Sequence, residues 1–441
     1  MKTYYIETLG CKVNQYESNG ISTQLGYKGY KKGEKKTPAD IVIINTCSVT
    51  SKAGMQSRQA IRRIIRDHPD AKVIVTGCHA QTSSGEIQKI EGMTTRGRIV
   101  SQAHKTRIAN HIEPLMMNDN NLRFKKAPFE NNTGFSGFEK AVTGNMTRAY
   151  LKIQDGCDAL CSYCIVPYAR GPSVSMPKDQ VFQHLEELND AGFKEVILTG
   201  IHTGMYGQEF KEKTSLFELL NQINRRQPVY RIRLSSIEPC EINDGIIRLA
   251  KPGNILCDHF HIPLQSGDDD ILKMMKRPYS ASVFETLINN IHKTLGSAAI
   301  GVDILIGFPS ETDAQFEHTY QLIEKLPVTY LHVFPFSARK GTPAYHFKNK
   351  VAAKIIKERC NTMRTLGQKK KRSFIESNLG KPLEGIVQHT KDPDSGRLRA
   401  VTSNYLTVVL DGKQDLQGKI IDLICEQCDS HLNITGRIIN A

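Results

Sequence analysis

Three β-branched apolar runs near the N-terminus each end at a cysteine, and this repetition constrains the fold more than any other feature. Residues 3–9 read as a short strand that runs into Gly10 and Cys11. Residues 40–45 (DIVIIN) have the unbroken apolar character of a parallel strand buried on both faces, and Cys47 follows. Residues 71–76 (AKVIVT) form the third run, ending at Gly77 and Cys78. Helical stretches over 15–26 and 52–67 separate the strands, the second stopped by Pro69. This βαβαβ order predicts an open α/β domain on a parallel sheet. Ligand sites in such sheets form beyond the carboxyl ends of the strands. Cys11, Cys47 and Cys78 are therefore expected to converge, although each lies more than thirty residues from the next. Solitary core cysteines can fall at such places by chance; the recurrence of one structural position favours a three-thiolate site.

The chain then changes character twice. Residues 118–144 are polar and rich in Gly, Asn and Lys, as in a linker or long loop. Strand signals resume over 149–154, 195–199, 231–235, 259–263, 301–306 and 330–335, with helical stretches such as 176–191 and 215–226 between them. About six βα units predict a parallel barrel short of the usual eight. Residues 353–376 read as one basic helix. Short alternating runs follow at 383–389, 397–402, 406–410, 418–425 and 433–439, the pattern of a small all-β barrel. The expected α/β architecture is thus an open domain over 1–117, a linker over 118–144, a partial parallel β/α barrel with its basic helix over 145–378, and a small β-barrel over 379–441.

Charge and cysteine usage narrow the class. No apolar run in the 441 residues approaches the ~18–20 needed to cross a bilayer. The opening MKTYYIETLGC lacks the apolar segment of a secretory signal. No membrane association and a cytoplasmic setting are expected. The net charge is +14, and it is unevenly placed. Residues 1–100 carry 16 Lys/Arg against 8 Asp/Glu, and residues 353–376 carry 8 against 2, while the tail from 377 has 7 against 8. Two separated basic regions suit a polyanion such as nucleic acid, although a merely basic surface has the same sign. The cysteines number eleven, an odd count, and in a reducing compartment they serve as metal ligands or core fillers rather than disulfides.

Cys157, Cys161 and Cys164 stand in a C-x3-C-x2-C loop directly after the first barrel strand. That spacing lets one loop offer three thiolates to a single centre. A structural zinc ion wants a fourth soft ligand, and residues 165–168 (IVPY) provide none. An iron–sulfur cubane held by three thiolates keeps one iron free for a substrate or cofactor. The second reading suits a loop at the top of a β/α barrel better; the zinc reading stays open on spacing alone.

With Tyr163 before its last cysteine, this loop resembles that of the radical S-adenosylmethionine enzymes. Together with the three-cysteine α/β domain it resembles the methylthiotransferases, from about residue 2 to the C-terminus. The words TLGCKVN at 8–14, INTCSVT at 44–50 and VTGC at 75–78 are similar to the MtaB-type branch, as are LTGIHTG at 198–204, RLSSIEP at 233–239, HFHIPLQSG at 259–267 and DILIGFP at 303–309. The resemblance implies that Cys157, Cys161 and Cys164 hold a 4Fe–4S cluster that binds S-adenosyl-L-methionine. Cys11, Cys47 and Cys78 would hold a second 4Fe–4S cluster that supplies sulfur. It further implies a tRNA anticodon stem-loop as partner, with methylthiolation of N6-threonylcarbamoyladenosine beside the anticodon. An electron donor such as a flavodoxin or ferredoxin and a separate sulfur source would complete the system. The terminal barrel resembles the RNA-binding TRAM module.

Thr199, Gly200, Ser235, Glu238, Gln265 and Asp303 lie at or near predicted strand ends, where barrel sites are built, and are the expected cofactor contacts. Asn14 and Asn45 flank the first cysteine set, where they either orient its loops or form turns. The Cys425/Cys428 pair, the lone Cys240, Cys257 and Cys360, and His202, His259 and His261 read as packing or barrel residues. Arg58, Arg62, Arg63 and Arg66 fall at near-helical spacing and suit either phosphates or a solvated face. The alternatives to the main reading are methylthiolation of isopentenyladenosine in tRNA, methylthiolation of a ribosomal-protein aspartate, and a non-enzymatic zinc-containing RNA-binding protein.

Overall fold

The computed structural model describes residues 2–35, 37–117, 134–138 and 146–440. The chain forms two compact units. One comprises residues 1–144, 150–177 and 337–345, and the other residues 145–149, 178–336 and 346–441.

The first unit is built on a parallel sheet of β1 (Thr3–Thr8), β2 (Lys31–Lys32), β3 (Ile41–Thr46), β4 (Lys72–Gly77) and β5 (Gly97–Ile99), in the order β2-β1-β3-β4-β5. All six residues of β3 are buried, as its apolar run requires of a central strand. Helices α1 (Lys12–Tyr27) and α2 (Ser51–Asp67) connect the strands. Thr50 caps α2 by accepting from the Ala53 amide. Ile61, Ile64 and Ile65 of α2 pack with Val42, Ile44, Val73 and Val75 of the sheet, each burial contributing roughly 1.5–3 kcal/mol. The two outermost strands were not expected. A two-residue and a three-residue strand are too short to show alternation, and Lys31 and Lys32 are exposed.

Of the expected linker over 118–144, only residues 134–138 are described. Within them Phe138 is fully buried, its ring edge on Tyr16 and its face where a side chain at Gly20 of α1 would stand. Strand β6 (Ala149–Lys152) leads into β7 (Gln154–Asp155), which pairs antiparallel with β8 (Val174–Ser175). That short hairpin base closes residues 156–173 into a loop.

The second unit holds parallel strands β9 (Glu195–Thr199), β10 (Arg231–Leu234), β11 (His259–Gln265), β12 (Ala299–Ile306) and β13 (Tyr330–Pro335). β9 pairs with β10, bridges at Ile232–Leu256 and Ser236–His261 join β10 to the region of β11, and β11, β12 and β13 pair in turn. The helices Leu216–Arg226 and Asp313–Lys325 each open on a reciprocal capping box, Ser215 with Glu218 and Thr312 with Gln315. The long helix Ala353–Asn378 lies against β13, where Gly367 admits Leu331. Among the described residues no helix is long and apolar enough to cross a membrane.

The chain ends in a closed barrel of β14 (Pro382–Val387), β15 (Leu398–Thr402), β16 (Thr407–Leu410), β17 (Ile420–Cys428) and β18 (Ile434–Asn440), ordered β14-β15-β16-β18-β17. Ile375 from the long helix joins its core with Val387, Ala400, Val408 and Leu423. Two buried arginines of β10 tie the barrel to the parallel sheet. Arg231 donates to the Val401 carbonyl at 3.0 Å, and Arg233 donates to those of Thr402 and Ser403 at 2.9 and 2.8 Å. Both also pair with the buried Glu195.

Candidate functional site

Cys11, Cys47 and Cys78 do come together at the carboxyl ends of β1, β3 and β4. Gly10 takes a positive φ of 98°, and a Cβ there would stand 2.9 Å from the Cys47 sulfur. Only glycine therefore lets the β1 turn close on the thiol. Cys11 stands at the N-cap position of α1, and Cys78 begins the short helix α3 (Cys78–Thr82). Burial pushes the Cys47 thiol up to about 11, against the Val49 amide that lowers it, with Cys78 and Cys11 raising it further. Cys11 keeps solvent access although protein atoms crowd round it. Burial raises its pKa too, and the nearby Arg170 draws it back down.

The asparagines beside these cysteines orient the loops. The Asn14 amide donates to the Leu9 carbonyl at 2.6 Å and to that of Thr46 at 3.2 Å. Asn45 donates to the Asn14 carbonyl at 3.0 Å. Ser57 of α2 clasps Cys47 from both sides, accepting from its amide and donating to its carbonyl.

The second thiol set sits on the loop closed by β7 and β8. The Cys157 amide donates to the Gly171 carbonyl at 3.0 Å, and the Cys164 amide to that of Cys161 at 3.1 Å. Gly156 turns with φ 71° where any Cβ would strike the Pro172 carbonyl. The other five cysteines all belong to the second unit, so no fourth thiol of the first unit joins either set. Among the described residues, neither triad brings its three sulfurs within 4.8 Å of one another. Thiolates on one zinc ion, ~2.3 Å from the metal, would stand roughly 3.8 Å apart. The donor sets thus fit a polynuclear iron–sulfur group better than a single ion.

Between the two thiol loops lies a buried charge network that sequence reasoning missed. Arg170, fully buried, donates to Asn14 Oδ1 at 2.8 Å, to Glu17 Oε1 at 3.0 Å and to Asp155 Oδ1 at 2.9 Å. Lys105 meets Glu17 Oε2 at 2.6 Å and also donates to Asn45 Oδ1. Lys152 meets Asp155 Oδ2 at 2.7 Å. Burial works against ionisation of Glu17, but Arg170, Lys105 and Lys152 outweigh it and hold the carboxyl well below its usual range. Three cations face two carboxylates, so the network carries surplus positive charge. That sign suits two thiolate-bound clusters. Asp155 also accepts from the Gly156 amide at 2.8 Å, so one arginine links the base of the second loop to Asn14 beside Cys11. Nothing in the sequence marked these residues, because Arg170 and Glu17 stand 153 positions apart.

In the second unit, Thr199 ends β9 and is buried, with Gly200 following. Ser235 follows β10 with its hydroxyl buried and unpartnered among the described residues. A buried orphan donor at a strand end is a place for a ligand. Gln265 ends β11 at a left-handed φ of 67°, the sort of strain that collects at functional sites. Glu238 pairs with Arg277, and burial raises its pKa despite that partner. Asp303 accepts from His261 at 2.7 Å and from His332 at 3.2 Å. Burial opposes its charge, yet these two bonds bring its pKa down to about 2. Of the α2 arginines, Arg58 pairs with Glu86, Arg63 with Glu7 and Arg66 with Asp67, which leaves exposed Arg62 without an acidic partner among the described residues.

Comparison with known proteins identifies the family. Residues 3–96 match an uncharacterized protein family, UPF0004, and residues 151–323 match the radical SAM superfamily. The chain is 36% identical to the threonylcarbamoyladenosine tRNA methylthiotransferase MtaB of Bacillus subtilis, covering 96% of this chain and 93% of that protein. It is 30% identical to the tRNA-2-methylthio-N(6)-dimethylallyladenosine synthase of Clostridium tetani, covering 96% and 93%. Among solved structures it resembles the radical S-adenosylmethionine methyltransferase TsrM of Kitasatospora setae, with TM-score 0.57 and 15% identity over 78% of this chain and 77% of that one.

Proposed function

The chain belongs to the MtaB-type radical S-adenosylmethionine tRNA methylthiotransferases, and from that premise we propose that it converts N6-threonylcarbamoyladenosine in tRNA to its 2-methylthio derivative. The convergence of two three-cysteine sets, each without a fourth thiol, carries this reading. Carbon 2 of adenine bears a C–H bond that no side-chain base removes at neutral pH, so the chemistry falls to the cofactors. When bound, two 4Fe–4S clusters and S-adenosylmethionine supply the transferable sulfur, the methyl group and the radical. In this proposal Cys157, Cys161 and Cys164 hold the cluster that binds S-adenosylmethionine, and Cys11, Cys47 and Cys78 hold the sulfur-donating one.

The protein's own work is placement. Asn14, Asn45 and Ser57 fix the first thiol loops, and the hairpin base fixes the second. Arg170 and its neighbours set a positive field under both. Thr199, Gly200, Ser235, Glu238, Gln265 and Asp303 are the proposed contacts to S-adenosylmethionine, with the Ser235 hydroxyl free to donate or accept. Residues 1–117 and 145–378 would divide the sulfur and radical roles, and 379–441 would serve as the RNA-binding attachment. A flavodoxin or ferredoxin is the proposed electron donor, with a separate sulfur source.

Mass spectrometry of tRNA nucleosides from cells lacking the protein, and from the same cells with it restored, tests the reading. Loss and return of 2-methylthio-N6-threonylcarbamoyladenosine is expected. A change confined to the isopentenyl nucleoside would move the substrate to the other tRNA branch. No change in either would sink the proposal.

A further inference from the structure

β11, β12 and β13 turn one face toward the helices and the other away from them. Leu331 meets the long helix at Gly367, so by strand alternation Tyr330, His332 and Phe334 belong to the opposite face. Gly301 of β12 shares that face, because a Cβ there would run into the Tyr330 ring. Asp303 follows two residues on, and His261 reaches it from β11. The His261 and His332 rings stand 4.9 Å apart at 72°, both bonded to the same Asp303 oxygen. Tyr330 lies beside both rings, and Phe334 borders His332.

Two features argue against a purely structural cluster. His332 is 48% exposed and Phe334 is 40% exposed, on a strand that ends its sheet. A bond that only braced the sheet would gain little from so open a place. The pairing also gives a distinct chemistry. Each imidazole turns one ring nitrogen to Asp303, and its second ring nitrogen can hydrogen-bond a ligand.

The possible target nucleosides differ in the same property. A threonylcarbamoyl group ends in a carboxylate and a hydroxyl, whereas an isopentenyl group ends in methyls. A site that selects by hydrogen bonds rejects the analogue lacking them far more strongly than an apolar pocket rejects an added polar group. We propose that His261 and His332, oriented by Asp303, form the subsite that binds the anionic threonyl end of the target nucleoside, with Phe334 as its apolar wall. This rests on the substrate assigned above. His332 is the specificity-determining residue and Asp303 the positioning one.

The test uses the reconstituted enzyme with anticodon stem-loops that differ only at the target base, one carrying threonylcarbamoyladenosine and one plain adenosine. His332→Phe is expected to weaken binding of the first RNA and raise its KM by roughly 10- to 100-fold, the loss of a charge-assisted hydrogen bond. Its affinity for the plain RNA should stay unchanged. His332→Gln, which keeps a donor, should recover part of the difference. If His332→Phe discriminates between the RNAs as the wild type does, the subsite is wrong even though the wild type still methylthiolates the first RNA. If the wild type leaves that RNA unmodified, the substrate assignment itself falls. Because the three ligand atoms lie within 4.8 Å, zinc is measured as well. One equivalent bound by the wild type and lost in the variant would overturn the proposal in favour of a metal site.

Discussion

Ser235 and Arg170 sit at opposite ends of the scale of single-residue effects. The Ser235 hydroxyl is buried without a partner among the described residues, so Ser235→Ala removes a desolvated group that the fold leaves unsatisfied. Its unfolding midpoint should stay level or rise, by up to about 1 kcal/mol, while the Kd for S-adenosylmethionine increases. Thermal unfolding and calorimetric titration read the two effects separately. Arg170→Met strips two buried acceptors and a part-buried one of their cation at once. A loss of about 3–5 kcal/mol in urea unfolding is expected. Cys157, Cys161 and Cys164 stood out in the sequence by their spacing, and Cys11, Cys47 and Cys78 by their recurrence at strand ends. Arg170, Lys105, Lys152 and Glu17 did not, because a buried charge and a solvated one look alike until the partner is brought in by the fold.

Elements show the same division. Strands β3, β4 and β9 were legible within a residue or two, since central parallel strands must be continuously apolar, and the edge strand β13 was legible from its β-branched and aromatic residues ahead of Pro335. β2 and β5 were hidden by their length, and the burial of Phe138 by the polar residues around it. The β1 turn is the element most exposed to a small change. Gly10→Ala places a methyl group against the Cys47 sulfur at a backbone angle that alanine resists. Iron content should fall by about half after reconstitution, with the C-x3-C-x2-C site still loaded, as iron analysis and electron paramagnetic resonance would show.

Across the whole molecule, the terminal barrel cannot be removed without cost to the parallel sheet. Deleting residues 380–441 takes away the carbonyls of Val401, Thr402 and Ser403 from two buried arginines, so poor folding is expected rather than a clean loss of RNA binding. Lys369 and Lys371 are exposed, whereas Lys370 and Arg372 are engaged with backbone carbonyls. The double change of Lys369 and Lys371 to Gln should weaken tRNA binding and flatten its salt dependence without altering stability. Glu195 gives this tether a pH signature. Burial raises its pKa, but Arg233 and Arg231 outweigh that and hold it far below the usual carboxylate range. Its contribution is therefore complete above the unfolded pKa of about 4.3 and is lost as pH falls toward the folded value. The stability gap between wild type and Glu195→Gln should narrow as pH drops below about 4, in urea unfolding at stepped pH. The two thiol sets also differ in what must exist before they can be filled. Cys157, Cys161 and Cys164 come from one closed loop, while Cys11, Cys47 and Cys78 require three strands already in register. Loosening the sheet would therefore scatter Cys11, Cys47 and Cys78 while Cys157, Cys161 and Cys164 stay within one short span of chain, so the two sites depend on very different amounts of intact fold.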